Sequence, residues 1–307
     1  MKAIIYKTYG GPEILQETDL PIPEVTPGTV LVRLFATSVN PIDWKIASGH
    51  YRPFMRARFP QIPGFDIAGE VVSVGMSVTG FVPGARVHAR LTESVSSAQY
   101  ALVEANELVL IPESMDFATA AALPLAGMTA LQALRKGGIS SGQRVLILGA
   151  SGGVGHFAVQ IAKAAGATVI GVCSNRNIAF VESLGADQVI DYGAPDPYLN
   201  FPLCDIIFDC VGPYSSTWLK HLKDGGRYVS VLPSPALIFA SLNPFSRKKV
   251  IPVMLKSTAA DLTILNDLAT SGKLKATVQH FPLDQLRNAW ELSISGRAVG
   301  KIVVDIG

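Results

Sequence analysis

A glycine-rich turn, Gly149-Ala150-Ser151-Gly152-Gly153-Val154-Gly155, follows the short apolar run Val145-Leu146-Ile147-Leu148. Behind it Phe157, Ala158, Ile161, Ala162 and Ala165 recur at helical spacing up to Gly166, and Thr168-Val169-Ile170-Gly171-Val172-Cys173 reads as a second strand. The chemistry such a strand–turn–helix–strand unit can do is anion binding. Gly152 lets the backbone approach a pyrophosphate, Gly155 lets the helix lie tight on its strand, and the anion meets free N–H groups at the positive end of the helix. A glycine turn that only packs is the competing reading, but the flanking strand and helix are those that dinucleotide binding requires.

The end of the second strand decides which dinucleotide. A carboxylate about 20 residues after the glycines would bond the ribose hydroxyls of NAD. Here the residues are Cys173-Ser174-Asn175-Arg176-Asn177. No carboxylate is present to repel a phosphate, and a guanidinium can grip one in a two-pronged fork. Hydrogen bonds to charged groups contribute roughly 1.5–3 kcal/mol each. Arg176 with Ser174 would then favour NADPH over NADH by a factor of order ten to a hundred. An ordinary solvated loop arginine is the alternative.

The 307 residues suffice for two domains and a large core. A net charge of +2 leaves no nucleic-acid footprint, and the basic run Arg247-Lys248-Lys249 is explained by a solvated loop. Cys173, Cys204 and Cys210 fall in or beside apolar strands and fit reduced thiols better than a disulfide framework. The first residues pass directly into a strand without a leader-like pattern, and the most apolar windows, 118–134 and 229–245, are broken by proline and polar residues. The expectation is a cytoplasmic protein with no membrane span.

Up to about residue 111 the chain is strand-like and punctuated by Pro27-Gly28, Thr79-Gly80 and Pro83-Gly84, which predicts a compact, partly barrel-shaped β domain. Residues 118–134 form an alanine-rich helix with Ser114 as its expected cap. After the glycine unit the α/β alternation continues: a helix at 178–184, strands at 188–191 and 205–210, a helix at 215–222 and a strand at 227–231. This is a doubly wound parallel sheet with its ligand at the carboxyl ends of the strands. Residues 234–252 read as a mobile wall of the substrate cleft or as an ordinary surface loop. Helices at 261–271 and 283–295 and strands at 278–281 and 301–304 return to the first domain. The expected divisions are 1–114, 115–255 and 256–307.

The chain resembles the zinc-independent, quinone-oxidoreductase branch of the medium-chain dehydrogenases/reductases along nearly its whole length. The resemblance is carried by Asn40-Pro41-Ile42-Asp43-Trp44-Lys45, by Pro63-Gly64-Phe65-Asp66, by Ala121-Ala122-Leu123-Pro124 through Gly127-Met128-Thr129-Ala130, by the glycine turn, by Leu184-Gly185-Ala186-Asp187 through Tyr192, and by Gly300-Lys301-Ile302-Val303-Val304. It implies a Rossmann sheet beside a smaller GroES-like domain, and a homodimer formed through the edge of the cofactor-domain sheet. Zinc-using relatives carry a cysteine, a His-Glu pair and a four-cysteine lobe. This chain has Asn40 and Phe65-Asp66 in those places and no cysteine before Cys173, so no metal site is expected.

Without a metal, the nicotinamide passes hydride to an acceptor that is already polarised: a quinone, or the β-carbon of an α,β-unsaturated carbonyl. The resemblance places Lys45 beside the nicotinamide ribose and the substrate carbonyl, against the bland reading of a surface cation, with Asn40 and Asp43 supporting its loop. It assigns Thr129 to the carboxamide, Gly152, Gly153 and Val154 to the pyrophosphate, and Ser174, Arg176, Asn177 and Tyr192 to the 2′-phosphate. A tyrosine after a strand is also common packing. Leu232, Arg297 and Lys301 are assigned to the nicotinamide end. Two other functions compete: an enoyl-thioester reductase, and a non-catalytic NADPH-binding redox sensor.

Overall fold

A computed structural model of the chain describes residues 1–52, 56–195, 201–212, 215–232, 239 and 247–307. The chain divides into two units, one made of Met1–Leu125, Ser257–Ser271 and Ala276–Gly307, the other of Ala126–Lys256 and Gly272–Lys275.

The first unit begins with β1 (Lys2–Ile5), β2 (Gln16–Asp19) and the long β3 (Thr29–Val39), then α1 (Pro41–Ala47), β4 (Asp66–Val74) and β5 (Arg86–Arg90). After these come β6 (Tyr100–Glu104), β7 (Val109–Leu110) and α2 (Phe117–Ala122). The chain crosses to the second unit along α3 (Pro124–Lys136). There it forms β8 (Arg144–Leu148), α4 (Gly155–Ala164), β9 (Thr168–Cys173), α5 (Ile178–Ser183), β10 (Gln188–Asp191), β11 (Cys204–Asp209), β12 (Leu222–Ser230) and β13 (Lys249–Pro252). It returns through α6 (Ala259–Thr270), β14 (Val278–Pro282), α7 (Leu286–Ile294) and β15 (Lys301–Asp305).

Among the described residues the second unit holds one six-stranded sheet, ordered β10-β9-β8-β11-β12-β13 and parallel throughout. The chain runs outward from β8 through β9 to β10, then restarts at β11 on the other side. The carboxyl ends of β8 and β11 therefore flank the point where strand order reverses, which is where open α/β sheets take their ligands. Strands buried on both faces, such as Val145-Leu146-Ile147-Leu148, need apolar residues at successive positions, and all four are buried.

The sheet of the first unit is ordered β14-β15-β3-β4-β5-β7, with β6 also on β3. Its β3, β4, β5 and β6 strands pair antiparallel, and their inward side chains Val30, Val32, Leu34, Ile67, Val87 and Val103 make one core. A second core, with Tyr6, Val39, Trp290 and Val304, lies under α7.

Several sequence expectations shift. The single helix over 118–134 is two, because Pro124 cannot supply the N–H that would continue the first. Its cap is Asp116, whose Oδ1 accepts from the Thr119 N–H at 2.7 Å, rather than Ser114. The domain boundary expected at residue 114 falls after Leu125. The buried Ala120, Ala121 and Ala122 of α2 let it pack closely on β3 and β4. The turn over Ser215–His221 is a 3-10 segment. Of the loop expected over 234–252, Lys249–Pro252 is a strand paired to β12, and 234–238 and 240–246 lie outside the described residues. No described helix is long and apolar enough to cross a membrane.

Candidate functional site

The glycine turn of the second unit is pinned where it leaves β8: the N–H groups of Gly149 and Ala150 both donate to the Val172 carbonyl at 3.0 Å. Two of its glycines exist for different reasons. A side chain at Gly155 would collide with the Gly149 carbonyl and the Ala150 backbone, so this glycine is demanded by the close packing of α4 on the turn. At Gly152 the nearest atom to an added Cβ would be the Gly149 oxygen at 3.4 Å, an ordinary contact. Nothing inside the protein excludes a methyl group there. The glycine leaves open a cradle that a Cβ would fill, on the outer side of the turn beside the half-exposed Gly153 and Val154. No side chain caps the first turn of α4, where the His156 N–H is taken by the Gly152 carbonyl at 3.0 Å and the helix's positive end remains for an anion. A pyrophosphate fits both features.

The segment after β9 is a 3-10 turn, Asn175–Asn177, with Ser174 half-buried and Arg176 exposed. Asn177 makes a contact within the unit that its place in a turn does not announce. It is buried, and its Nδ2 donates to the Ser151 hydroxyl at 3.0 Å, so its amide serves the glycine turn. Tyr192, at 62% exposed, stands open after β10, with its N–H on the Cys173 carbonyl at 3.1 Å. Thr129 is buried on α3. Leu232, 38% exposed, packs against Gly212 and donates its N–H to the Ser230 hydroxyl at 3.2 Å.

Sequence reasoning missed Asp209, the last residue of β11. It is fully buried and accepts from the Val211 and Gly212 N–H groups at 2.9 and 3.0 Å and from the Tyr228 and Ser230 hydroxyls at 3.1 Å each. It fixes the loop at the carboxyl end of its strand. Its signal was a carboxylate ending an otherwise apolar run.

In the first unit, α1 presents Lys45. The ammonium stands 5.4 Å from the Trp44 ring centroid, the side chain is half-buried, and that burial lowers its pKa. Trp44 is held in turn by its Nε1 on the Ser293 hydroxyl at 3.0 Å. At the start of α1, Asp43 Oδ2 accepts from the Asn40 N–H at 2.7 Å, the return half of a capping box. Asp43 is buried, its Oδ1 has no hydrogen-bond partner, and burial pushes its pKa up to about 8.

Lys301, expected at the nicotinamide end, is enclosed in the first unit. Only 3% of it is exposed, and its ammonium donates to Asn40 Oδ1 at 2.7 Å and to the Val39 carbonyl at 3.0 Å. Asn40 Nδ2 donates in turn to Asp66 Oδ2 at 2.8 Å, and the Ser38 hydroxyl donates to that same oxygen at 2.6 Å. The Leu125 N–H donates to Asp66 Oδ1 at 3.0 Å. Asn40 thus bridges Asp66 and Lys301. Arg297 is exposed in the turn after α7, with its N–H on the Ser295 hydroxyl at 3.2 Å. Among the described residues no three His, Cys, Asp or Glu side chains cluster as a metal site.

Residues 26–113 match the family profile "Alcohol dehydrogenase GroES-like domain" and residues 184–304 the profile "Zinc-binding dehydrogenase". A chloroplast envelope quinone oxidoreductase homolog of Arabidopsis thaliana is 38% identical over 99% of this chain and 98% of its own. An NADPH-dependent alkenal/one oxidoreductase of the same plant is 35% identical over 99% and 79%. The structure of the Escherichia coli quinone oxidoreductase complexed with NADPH superposes with a TM-score of 0.89 at 27% identity, covering all of both chains.

Proposed function

The chain belongs to the medium-chain dehydrogenase/reductase family, and from that premise we propose that it is a metal-independent, NADPH-dependent reductase whose acceptor is a quinone or the activated C=C bond of an α,β-unsaturated carbonyl. The observation that carries the reading is the open position at Gly152, where an added Cβ would meet nothing nearer than 3.4 Å, just before a helix whose first turn no side chain caps. A bound nicotinamide supplies the hydride. The chain supplies the rest. Gly152, Gly153 and Val154 seat the pyrophosphate, and Arg176 with Ser174 grips the 2′-phosphate of NADPH in preference to the free hydroxyl of NADH.

Lys45 polarises the acceptor's carbonyl oxygen and stabilises the negative charge that develops there as hydride arrives. Partial burial of the side chain lowers its pKa. Metal independence is supported by the donor set: Asn40 and Asp66, in the places where zinc-using relatives carry ligands, are committed to one another and to a lysine ammonium. A fixed cation at that spot opposes a divalent one. A homodimer joined along the outer edge of the parallel sheet is the assembly we propose, readable by light scattering.

The deciding experiment follows NADPH consumption by metal-stripped protein with a simple quinone and with an α,β-unsaturated ketone, each repeated with NADH. Turnover with NADPH on either acceptor is the expected result. Firm NADPH binding without turnover on any acceptor would replace this reading with that of a sensor.

A further inference from the structure

Asn40 joins a cation to an anion in the interior of the first unit, and few side chains can. An ammonium only donates and a carboxylate only accepts, so the amide is held with Oδ1 on Lys301 and Nδ2 on Asp66. Asp66 accepts from three donors, Ser38, Asn40 and Leu125, which oppose the burial that raises its pKa. Burial raises the pKa of Asp43 and of Asp66 and lowers that of Lys301, and the attraction between Lys301 and the two carboxyl groups works against it. Four stretches of chain that are distant in sequence meet here: the end of β3 with the start of α1, the first residue of β4, the residue after Pro124, and the first residue of β15.

The helix that carries Lys45 has only seven residues. So short a helix has little intrinsic preference to form in place, and its direction is set by whatever holds its first turn. That turn is held by Asn40: its backbone N–H binds Asp43, its carbonyl accepts the Asp43 N–H at 3.0 Å, and its side chain is fixed by Lys301 and Asp66. We propose that Lys301 is a positioning residue for the reductase centre: through Asn40 it fixes the entry of α1, and thereby the place from which Lys45 acts. The inference rests on the reading that Lys45 serves the acceptor.

Two substitutions test it. Lys301→Met keeps the length of the side chain and removes the ammonium. Asn40→Ala removes the bridge but leaves every charge in place, so it decides the matter if the first variant does not fold. Each is expected to lower kcat at least tenfold, while the cofactor Kd and the acceptor KM stay within about twofold of the parent. A second readout needs neither cofactor nor acceptor. The lysines are reductively methylated with carbon-13, and the Lys45 resonance is assigned by its loss in Lys45→Arg. In both variants it should shift or broaden.

A lowered melting temperature with kcat and the Lys45 resonance unchanged would reduce the cluster to a stability element and overturn the proposal. If the parent protein turns over no acceptor, the functional reading falls, and the Lys45 resonance of the cofactor-free variants still decides whether Lys301 positions it.

Discussion

The Asn177 amide donates to the Ser151 hydroxyl at 3.0 Å, tying the turn that carries Arg176 to the glycine turn. The two turns proposed to hold the pyrophosphate and the 2′-phosphate thus share one buried hydrogen bond. Losing it costs about 0.5–1.5 kcal/mol. Asn177→Ala is expected to weaken NADPH by roughly twofold to tenfold, measured by the quenching of protein fluorescence on titration. An unchanged affinity would show that the two turns hold their places separately.

Gly152 and Gly155 should behave as opposites. Gly155→Ala forces the backbones of α4 and the turn apart and should cost about 1–3 kcal/mol of stability, seen as a lower unfolding midpoint in urea. Gly152→Ala should leave that midpoint in place and weaken cofactor binding at least tenfold. Equal losses of stability would mean that the cradle is crowded from within.

Arg176→Ala should weaken NADPH by a factor of about ten to a hundred and leave NADH within twofold. Equilibrium titration with each cofactor separates the two. The same loss for both would move the 2′-phosphate contact elsewhere.

Lys45→Ala should lower turnover on an enone by about ten- to a hundredfold while NADPH still binds as it does to the parent. Stopped-flow measurement of NADPH oxidation at saturating acceptor reads this step. Full turnover in the variant would take Lys45 out of the chemistry.

Asp43 gives a pH dependence of stability. Burial raises its pKa from the ordinary 3.8 to about 8, against the pull of Lys301 and Arg90, with Asp66 and the Tyr6 phenol as its other neighbours. Between those values the folded chain holds a proton that the unfolded chain releases, so this contribution to stability falls as pH rises from about 4 through about 8. Asp43→Asn cannot titrate. The parent's advantage in melting temperature over this variant should be larger at pH 5 than at pH 9. Parallel curves would return Asp43 to an ordinary carboxylate.

The second unit was the more legible in the sequence because its periodicities are local. An apolar run, a glycine turn and a helical repeat lie within about thirty residues, and each constrains the next. The first unit's site was half legible. Asn40, Asp43, Lys45 and Asp66 stood out by their order, but their partner Lys301 lies on the last strand, and nothing local joins residue 40 to residue 301.

The signal was present all the same: a lysine in the run Gly300-Lys301-Ile302-Val303-Val304, where neighbouring strand positions are apolar, has to be buried with an acceptor. The Asn177 contact was hidden for the converse reason, since a polar residue in a turn suggests an exposed contact and its buried partner is 26 residues away. The boundary at Leu125 was hidden because alanines in α2 carry no sign of which sheet they pack on.

The strand β15 lies between β14 and β3 in the first unit's sheet, yet it is made after the whole parallel sheet of the second. On the ribosome the order of completion is therefore the reverse of the order of starting. The second unit has every strand described for it while the unit begun first still lacks an interior one, with Asn40 and Asp66 awaiting the ammonium. A nascent chain halted near residue 290 would carry a finished parallel sheet and an open antiparallel one, and the exposed flank of β3 would be the surface a chaperone has to shield.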